Sequence, residues 1–486
     1  MKLYAQGGDI GGLTVYSPKM TRVFAGNDIS DVAFYFQNTA ASDLSVVSAG
    51  RDLVPYNANT VNRVFSNSTG NLTQSGEGPR AGDIQISGPG TLQVIAGRDL
   101  DLGTGSGNAD GTGVGITSIG NARNPALPAE GADLIIGAGI GAASSLANSS
   151  LKWSAFIADF VSTPDGLKYV ALVAPGVNFN SLTPEQQTQI ALEVFYLVLR
   201  DAGRDFNNPD SPGYRKYTKG YAAIESLLGK GPWDGEILTQ GRDIRTRSGG
   251  DISIFAPGGG LTLANTTLGN ALTPPGIVTE SGGKISIFTD QSVDIGIGRI
   301  FTLRGGDAMI WSTKGDIAAG SSSRTISAAP PTRVIIDPQS GDVQTDLAGL
   351  ATGGGIGVLA SVTGVAPGDV DLIAPTGTID AGDAGIRVSG NINLAAVVIA
   401  NAGNISAGGS STGVPSAPST PSVSTVTSAS NAAAAGSATI AADNRKAQPE
   451  VKPTEESLSL FTVEVIGYGD GATDEDEKNK AEAGGA

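Results

Sequence analysis

Any chemistry in this chain has to be done without histidine or cysteine, because neither occurs among its 486 residues. That removes the commonest general base and metal ligand, and any disulfide. Aspartates are left. Asp9, Asp28, Asp52, Asp83, Asp99 and Asp133 each stand within two residues after a glycine and immediately before Ile or Leu. A file of such carboxylates could ligate calcium, a hard cation that takes oxygen donors. Alternatively, each could hydrogen-bond the amides of its own glycine turn. The phrase lacks the Gly-Gly-x-Gly-x-Asp repeat of calcium-binding β-rolls, so turn capping without metal is the expectation. Gly137-Ala138-Gly139-Ile140-Gly141-Ala142 follows a strand-like run from Asp133, with Asp159 downstream, and so matches the dinucleotide fingerprint. Residues 143–150 are weak helix formers and no further βαβ units follow, so no cofactor is expected. Gly258–Gly260 and Gly353–Gly355 lack a following Lys-Ser or Lys-Thr and read as turns. Tyr214, Arg215, Lys216 and Tyr217 form a basic, aromatic patch on a chain of net charge -16. They are the candidate partner contact, although snorkelling at a helix start would place them equally well. No catalytic constellation is visible.

The elements that position these residues are short. In residues 368–408, alternating apolar runs (VDLIA, TID, IRV, INLAAVVI) are each opened by glycine and a small polar residue. Gly368 to Gly377 is nine residues and Gly377 to Gly385 is eight, as are Asp307 to Asp316 and Asp243 to Asp251 respectively. Strands this short bury one face and stop, and no pair of them is stable alone. Stacked as a coil they are stable, at about 20 to 25 residues per rung. The expected fold is therefore an all-β solenoid, a parallel β-helix over residues 1–150 and 236–408. About 320 residues at roughly 4.8 Å per rung would make a rod on the order of 70 Å.

Between these halves, residues 151–235 change period. Thr183, Pro184 and Gln186 read as N-cap, first helical residue and capping box, with Gly203 closing the helix. Ile190, Val194, Leu197 and Val198 fall on one face. A second helix is expected over 214–228, with Tyr217, Tyr221, Ile224 and Leu228 at helical spacing and Gly229 after it. Trp153, Phe156 and Phe160 suggest a shorter helical or irregular lead-in. Such a module either packs on the flank of the coil or carries a recognition surface. Residues 409–457 collapse to Ser, Thr, Ala, Pro and Gly and read as a linker. Residues 458–486 read as one short strand and an acidic tail.

Composition agrees. The chain has 70 glycines, 5% aromatic and 16% charged residues. That is too little charge for an ordinary enzyme surface, and the clustered Ile, Val and Leu are too many for a disordered chain. An excess of 47 acidic over 31 basic residues repels phosphate backbones, so no nucleic acid is expected as a partner. No apolar run reaches the roughly 18 residues of a membrane span. Absence of cysteine suits a chain that crosses an oxidising compartment unfolded.

The phrases AGRDL, DVAFYF, EVFYLVLRDAGRD, RDIRTRSGGDISIFAPGGGLTL, PGIVTESGGKISIFTD, FTLRGGDAMIW and GDVDLIAPTGTIDAGDAGIRVSGNI resemble the C-terminal region of filamentous haemagglutinin family proteins, across roughly residues 3–408. The resemblance implies a right-handed parallel β-helix of a two-partner-secretion exoprotein. It also implies export through an outer-membrane transporter, and adhesion to host or bacterial cell-surface glycan or protein on a Gram-negative cell surface or outside it. The family's N-terminal secretion domain has no counterpart in residues 1–60, so the transporter would be engaged through a region missing from this chain. Arg304-Gly305-Gly306-Asp307 has one glycine too many for an integrin motif. A catalytic β-helix of the polysaccharide lyase type is the alternative, and would need acids and Arg or Lys converging on neighbouring rungs. A toxin carrier is a third class, for which the short C-terminus leaves no room.

Overall fold

The structure, a computed structural model, describes residues 1–57, 82–103, 113–121, 126–264, 275–321, 333–336, 343–346, 353–360 and 364–415. The linker expected from 409 lies outside these residues from 416 on, as do the expected strand and acidic tail.

Strands of the coil pair in parallel on three faces, and the chain visits the faces in a fixed order. The first face stacks Lys2–Ala5, Arg22–Ala25, Leu44–Ala49, Thr91–Ala96, Asp133–Gly137, Ile252–Ala256, Ile285–Thr289 and Ala308–Ser312. It continues through the first parts of Val370–Asp380 and Ile392–Ala400 to Ser411–Thr412. The second face holds very short strands such as Leu53–Val54, Leu100–Asp101 and Ile237–Leu238. The third carries Ile84–Ser87, Gly113–Ser118, Arg242–Thr246 and their successors. Ile10 pairs with Ile29, Arg22 with Val46 and Ile285 with Ala308, so an uninterrupted rung takes 19 to 24 residues. This is the parallel β-helix expected.

The stack is shorter than expected. Eleven first-face strands span about 50 Å at roughly 4.8 Å each, because several rungs carry long insertions. Leu44 pairs with Thr91 and Ala308 with Val370, for example. Inside, Val47, Val94, Ile136, Ile254, Ile287, Ile310, Leu372 and Leu394 lie at most 1% exposed along the first-face wall of one continuous core. Short as they are, these strands hold because each inward side chain rests on the equivalent one of the next rung.

One expectation needs correcting. First-face strands bury both sides, with every residue of Leu44–Ala49, Thr91–Ala96, Ile252–Ala256, Ile285–Thr289 and Ala308–Ser312 buried. Their outward file of Ile95, Phe255, Phe288, Trp311, Ile373 and Ala395 is covered by the inserted module. The module leaves the coil after Gly137 and returns at Ile237, within a single rung. It comprises α1 (Trp153–Phe156), a π-helical turn (Ile157–Val161), α2 (Pro164–Val173), α3 (Pro184–Asn207) and α4 (Thr218–Leu228).

The capping box at Thr183 and Gln186 is formed as expected. Gly203 does not end α3. It lies inside the helix where a Cβ would come 2.4 Å from Cγ1 of Ile373, so glycine serves close approach there. Helix α4 begins at Thr218 rather than 214, and Gly229 caps it at φ 65°. Helix α2 was not expected, although Thr163-Pro164-Asp165 carries the N-cap signal used for α3. An antiparallel pair, Arg333–Ile336 with Val343–Asp346, stands apart from the coil.

Candidate functional site

Helix α3 lies along the stack of strands. Near its start Glu185 forms a bidentate pair with Arg22 of the second first-face strand, at 2.7 and 2.9 Å. Midway, the Tyr196 hydroxyl donates to the Ile254 carbonyl at 2.8 Å, and Phe195 packs edge-on against Phe255 and Phe288. At its end Arg204 grips Asp371 at 2.9 and 2.7 Å, and Asn207 Nδ2 donates to Asn393 Oδ1 at 2.9 Å on the tenth strand. Residues 185 to 207 of a helix rise about 33 Å, and eight strand intervals cover about 38 Å. The few ångströms between the two are covered by the side chains at its ends, so the helix staples nine successive strands.

Tyr214, Arg215 and Lys216 sit in the turn between α3 and α4, and Tyr217 is the N-cap residue of α4. Tyr214, Arg215 and Lys216 are exposed and Tyr217 is half-buried. The Arg215 N–H donates to the Phe206 carbonyl at 3.0 Å, with Arg215 in the left-handed region at φ 57°. Its guanidinium lies over the rings of Phe206 and Tyr214, at 5.1 and 5.3 Å. Tyr217 stacks on Phe206 with centroids 4.4 Å apart and meets Trp311 edge-on. Its buried hydroxyl has no hydrogen-bond partner among the described residues, and burial pushes its pKa up. Tyr214 and Arg215 are therefore left on the surface, whereas Tyr217 holds the module to the coil.

The six aspartates divide among three corners rather than sharing one. Asp9, Asp28, Asp52 and Asp99 precede second-face strands, Asp133 precedes a first-face strand, and Asp83 a third-face strand. Their bonds run to the next rung and not, as expected, to their own turns. Oδ1 of Asp9 accepts from the Asp28 N–H, Asp28 from Asp52, Asp52 from Asp99, and Asp99 from Glu236, each at 3.0 to 3.3 Å. Asp133, Asp251, Asp307, Asp369 and Asn391 serve the next rung in the same way. Arg51 and Arg98 add bidentate pairs to Asp28 and Asp52 of the preceding rung. The Arg51 hydrogen bonds hold Asp28 below the usual carboxylate range. Each corner carboxylate is thus a clamp between rungs, and no cluster of three or more potential metal ligands occurs among the described residues.

The glycine-rich segment after Asp133 has no phosphate-binding helix behind it. Asp133–Gly137 is a solenoid strand, and only a three-residue 3-10 turn, Leu146–Asn148, follows closely. A Cβ on Gly139 would meet the Asp234 carbonyl at 1.7 Å and one on Gly141 the Ser150 hydroxyl at 2.6 Å. Gly139 makes room for the chain's return from the module, and Gly141 for its way out.

Sequence reasoning missed a groove of about 480 Å³ where the end of α3 meets the last first-face strands. Arg204, Asp205, Asn207, Asn208 and Pro209 form one wall. Asp369, Asp371, Asn391, Asn393, Ser410 and Thr412 contribute to the other. The signal was present as Gly368-Asp369-Val370-Asp371-Leu372 and, one rung on, Gly390-Asn391-Ile392-Asn393-Leu394. This is a repeated phrase with outward polar residues exactly one strand apart in register. The Tyr214–Arg215 turn adjoins the groove, since Arg215 bonds the carbonyl of the residue between Asp205 and Asn207.

Residues 305–416, which contain both phrases and the strands from Ala308 onward, match a family model described as filamentous haemagglutinin family outer membrane protein. The likeness read from the sequence is met there. No curated protein and no solved structure matches the chain. Among the described residues no helix is long and apolar enough to cross a membrane.

Proposed function

We propose that this chain is a filamentous haemagglutinin-like adhesin or part of one. It acts outside a Gram-negative cell or on its surface, as a rod-like scaffold that binds host or bacterial surfaces without catalysis. In this proposal a two-partner-secretion transporter exports it. The observation that carries the proposal is the family match over residues 305–416, together with a stack of rungs into which a helical module is inserted. Rung corners repeat one clamp, so discrimination between partners falls to what breaks the repetition, namely the module and its junction with the coil.

A lyase-type enzyme would place an uncommitted Arg or Lys beside acids on neighbouring rungs. The groove does bring Asp369, Asp371 and Arg204 together, but Arg204 is committed to Asp371 and no second cation lines the groove. That favours binding over catalysis. The test is to display the purified chain on beads and measure adhesion to epithelial and bacterial cells, beside an assay for cleavage of acidic polysaccharides. Adhesion well above that of uncoated beads, without cleavage, is the expected result. Turnover of a polysaccharide, or no adhesion to any cell, overturns the proposal.

A further inference from the structure

We propose that the groove at the end of α3 binds a saccharide bearing no acidic groups, either neutral or amino-substituted. This rests on the adhesin reading only in taking the ligand to be displayed on a surface.

The groove is sized for a small ligand, within the roughly 300–1,000 Å³ usual for such sites. Its lining is mixed, with carboxylates, carboxamides and hydroxyls set among the apolar atoms of Val370, Ile392 and Pro209. A wholly apolar ligand would leave the carboxylates and carboxamides of both walls without partners on displacing water, which is costly. A polyol suits it, because each sugar hydroxyl both donates and accepts and its ring carbons can rest on the apolar atoms, while the walls offer donors (Asn208, Thr412) beside acceptors (Asp205, Asp369).

Charge narrows the class further. Three carboxylates line the groove against the single guanidinium of Arg204, which already bonds both oxygens of Asp371. Asp205 makes no ion pair among the described residues, and Asp369 Oδ2 lies 3.6 Å from Arg204 Nη2, beyond hydrogen-bond reach. The field left over is negative, so sulfated or uronic sugars are repelled and hydroxyl or ammonium donors are drawn in. One more observation points to a ligand rather than to packing. Asn393, on the lining, is 9% exposed, and its buried Nδ2 lies by the Asp371 carboxylate that Arg204 already holds, without a well-formed hydrogen bond among the described residues. Such a group is costly to leave unpaired. On the adjoining turn, Tyr214 is 39% exposed and offers an aromatic ring beside the polar walls.

The test is calorimetric titration of the full chain with neutral gluco- and galacto-oligosaccharides, chitosan oligomers, heparin fragments and oligogalacturonates. Binding by a neutral or amino-sugar probe is expected, weakened at least tenfold by Asp205→Lys and by Asn208→Ala, with thermal melts unchanged. Both positions face the groove from the rim of α3 and neither supports the coil. The proposal is overturned if no neutral or amino saccharide binds at millimolar concentration, or if an acidic probe binds as tightly. It also fails if both variants bind like the parent. Cell adhesion that survives Asp205→Lys would remove the groove while leaving the adhesin reading intact. Saccharide binding without cell adhesion would uphold the groove alone.

Discussion

Replacing Arg204 by alanine tests how the module is held to the coil. Asp371 is only 2% exposed, and both its oxygens are bonded by Arg204. Burial, more than the guanidinium offsets, already raises its pKa above the ordinary value. Removing one member of a buried pair costs about 3–5 kcal/mol, since the remaining charge is left unpaired. Arg204 is itself 40% exposed, so water can partly replace it, and about 2 kcal/mol is the expected loss at neutral pH. The pH dependence carries a definite sign. An acid whose folded pKa is raised destabilises the fold where it is ionised, so the deficit is absent below its unfolded pKa near 3.9 and grows as pH rises through the folded one. The Arg204→Ala deficit should therefore be larger at pH 7 than at pH 4, and Arg204→Ala/Asp371→Ala should recover part of it. Urea denaturation followed by tryptophan fluorescence suits the measurement, because Trp153 and Trp311 lie in the cluster that joins module and coil. A loss below about 0.5 kcal/mol at pH 7, or a deficit that widens on acidification, would refute the reasoning.

Gly220→Ala should destabilise by about 1–3 kcal/mol, since the new Cβ would stand 2.5 Å from Cη2 of the fully buried Trp311. The gain of roughly 0.5–1 kcal/mol from removing a helical glycine is too small to offset that, and a raised melting temperature would contradict it. Tyr217→Phe should stabilise by about 1 kcal/mol, because it deletes a buried hydroxyl that has no partner; a clear loss in the same melt would mean the hydroxyl is used. Millimolar calcium should leave the melting temperature unchanged, as the corner carboxylates already accept amides and guanidinium groups of the next rung. A rise of several degrees would show a metal file instead. The Arg22 guanidinium holds Glu185 below the ordinary carboxylate range. Its stabilisation is therefore present above about pH 4.3 and lost as pH falls through the lowered pKa. The stability gap between parent and Glu185→Gln, at most about 1 kcal/mol for so exposed a pair, should close on acidification and not open.

The solenoid was legible because its signal is local and repeated: glycine, a small polar residue, then an inward Ile, Leu or Val. Helix α3 was legible at its start because Thr183-Pro184-Glu185-Gln186 encodes its own cap. Its end was not. Gly203 looks like a stop unless Ile373 is known to lie against it, and that contact joins residues 170 positions apart. The three corners were merged for a related reason. Asp9 and Asp83 carry the same local phrase, and only the strand order separates them. The groove needed both kinds of knowledge at once. Its Asp-Val-Asp and Asn-Ile-Asn phrases are plain in the sequence, but alternation alone does not say which of three faces they occupy or that α3 ends above them.

What alternation could have said lies in the runs ISIFA, ISIFT and AMIWS. Each recurs once per rung and is apolar at outward as well as inward positions, while second-face strands such as Val293–Gly296 alternate buried and exposed. A strand buried on both sides demands a cover, and the chain contains one amphipathic helix long enough to supply it. The consequence is physical. A bare solenoid is stabilised by nearest-neighbour contacts, so each rung adds its own term. Here α3 contacts strands from Arg22–Ala25 to Ile392–Ala400, and losing it would expose the outward Phe255, Phe288 and Trp311 together. At about 1.5–3 kcal/mol for each fully buried apolar side chain of this kind, that coupling outweighs any single corner clamp. It makes the rungs beneath the helix one cooperative unit, and it fixes the groove's two walls relative to one another, because one belongs to the helix and the other to the strands it staples.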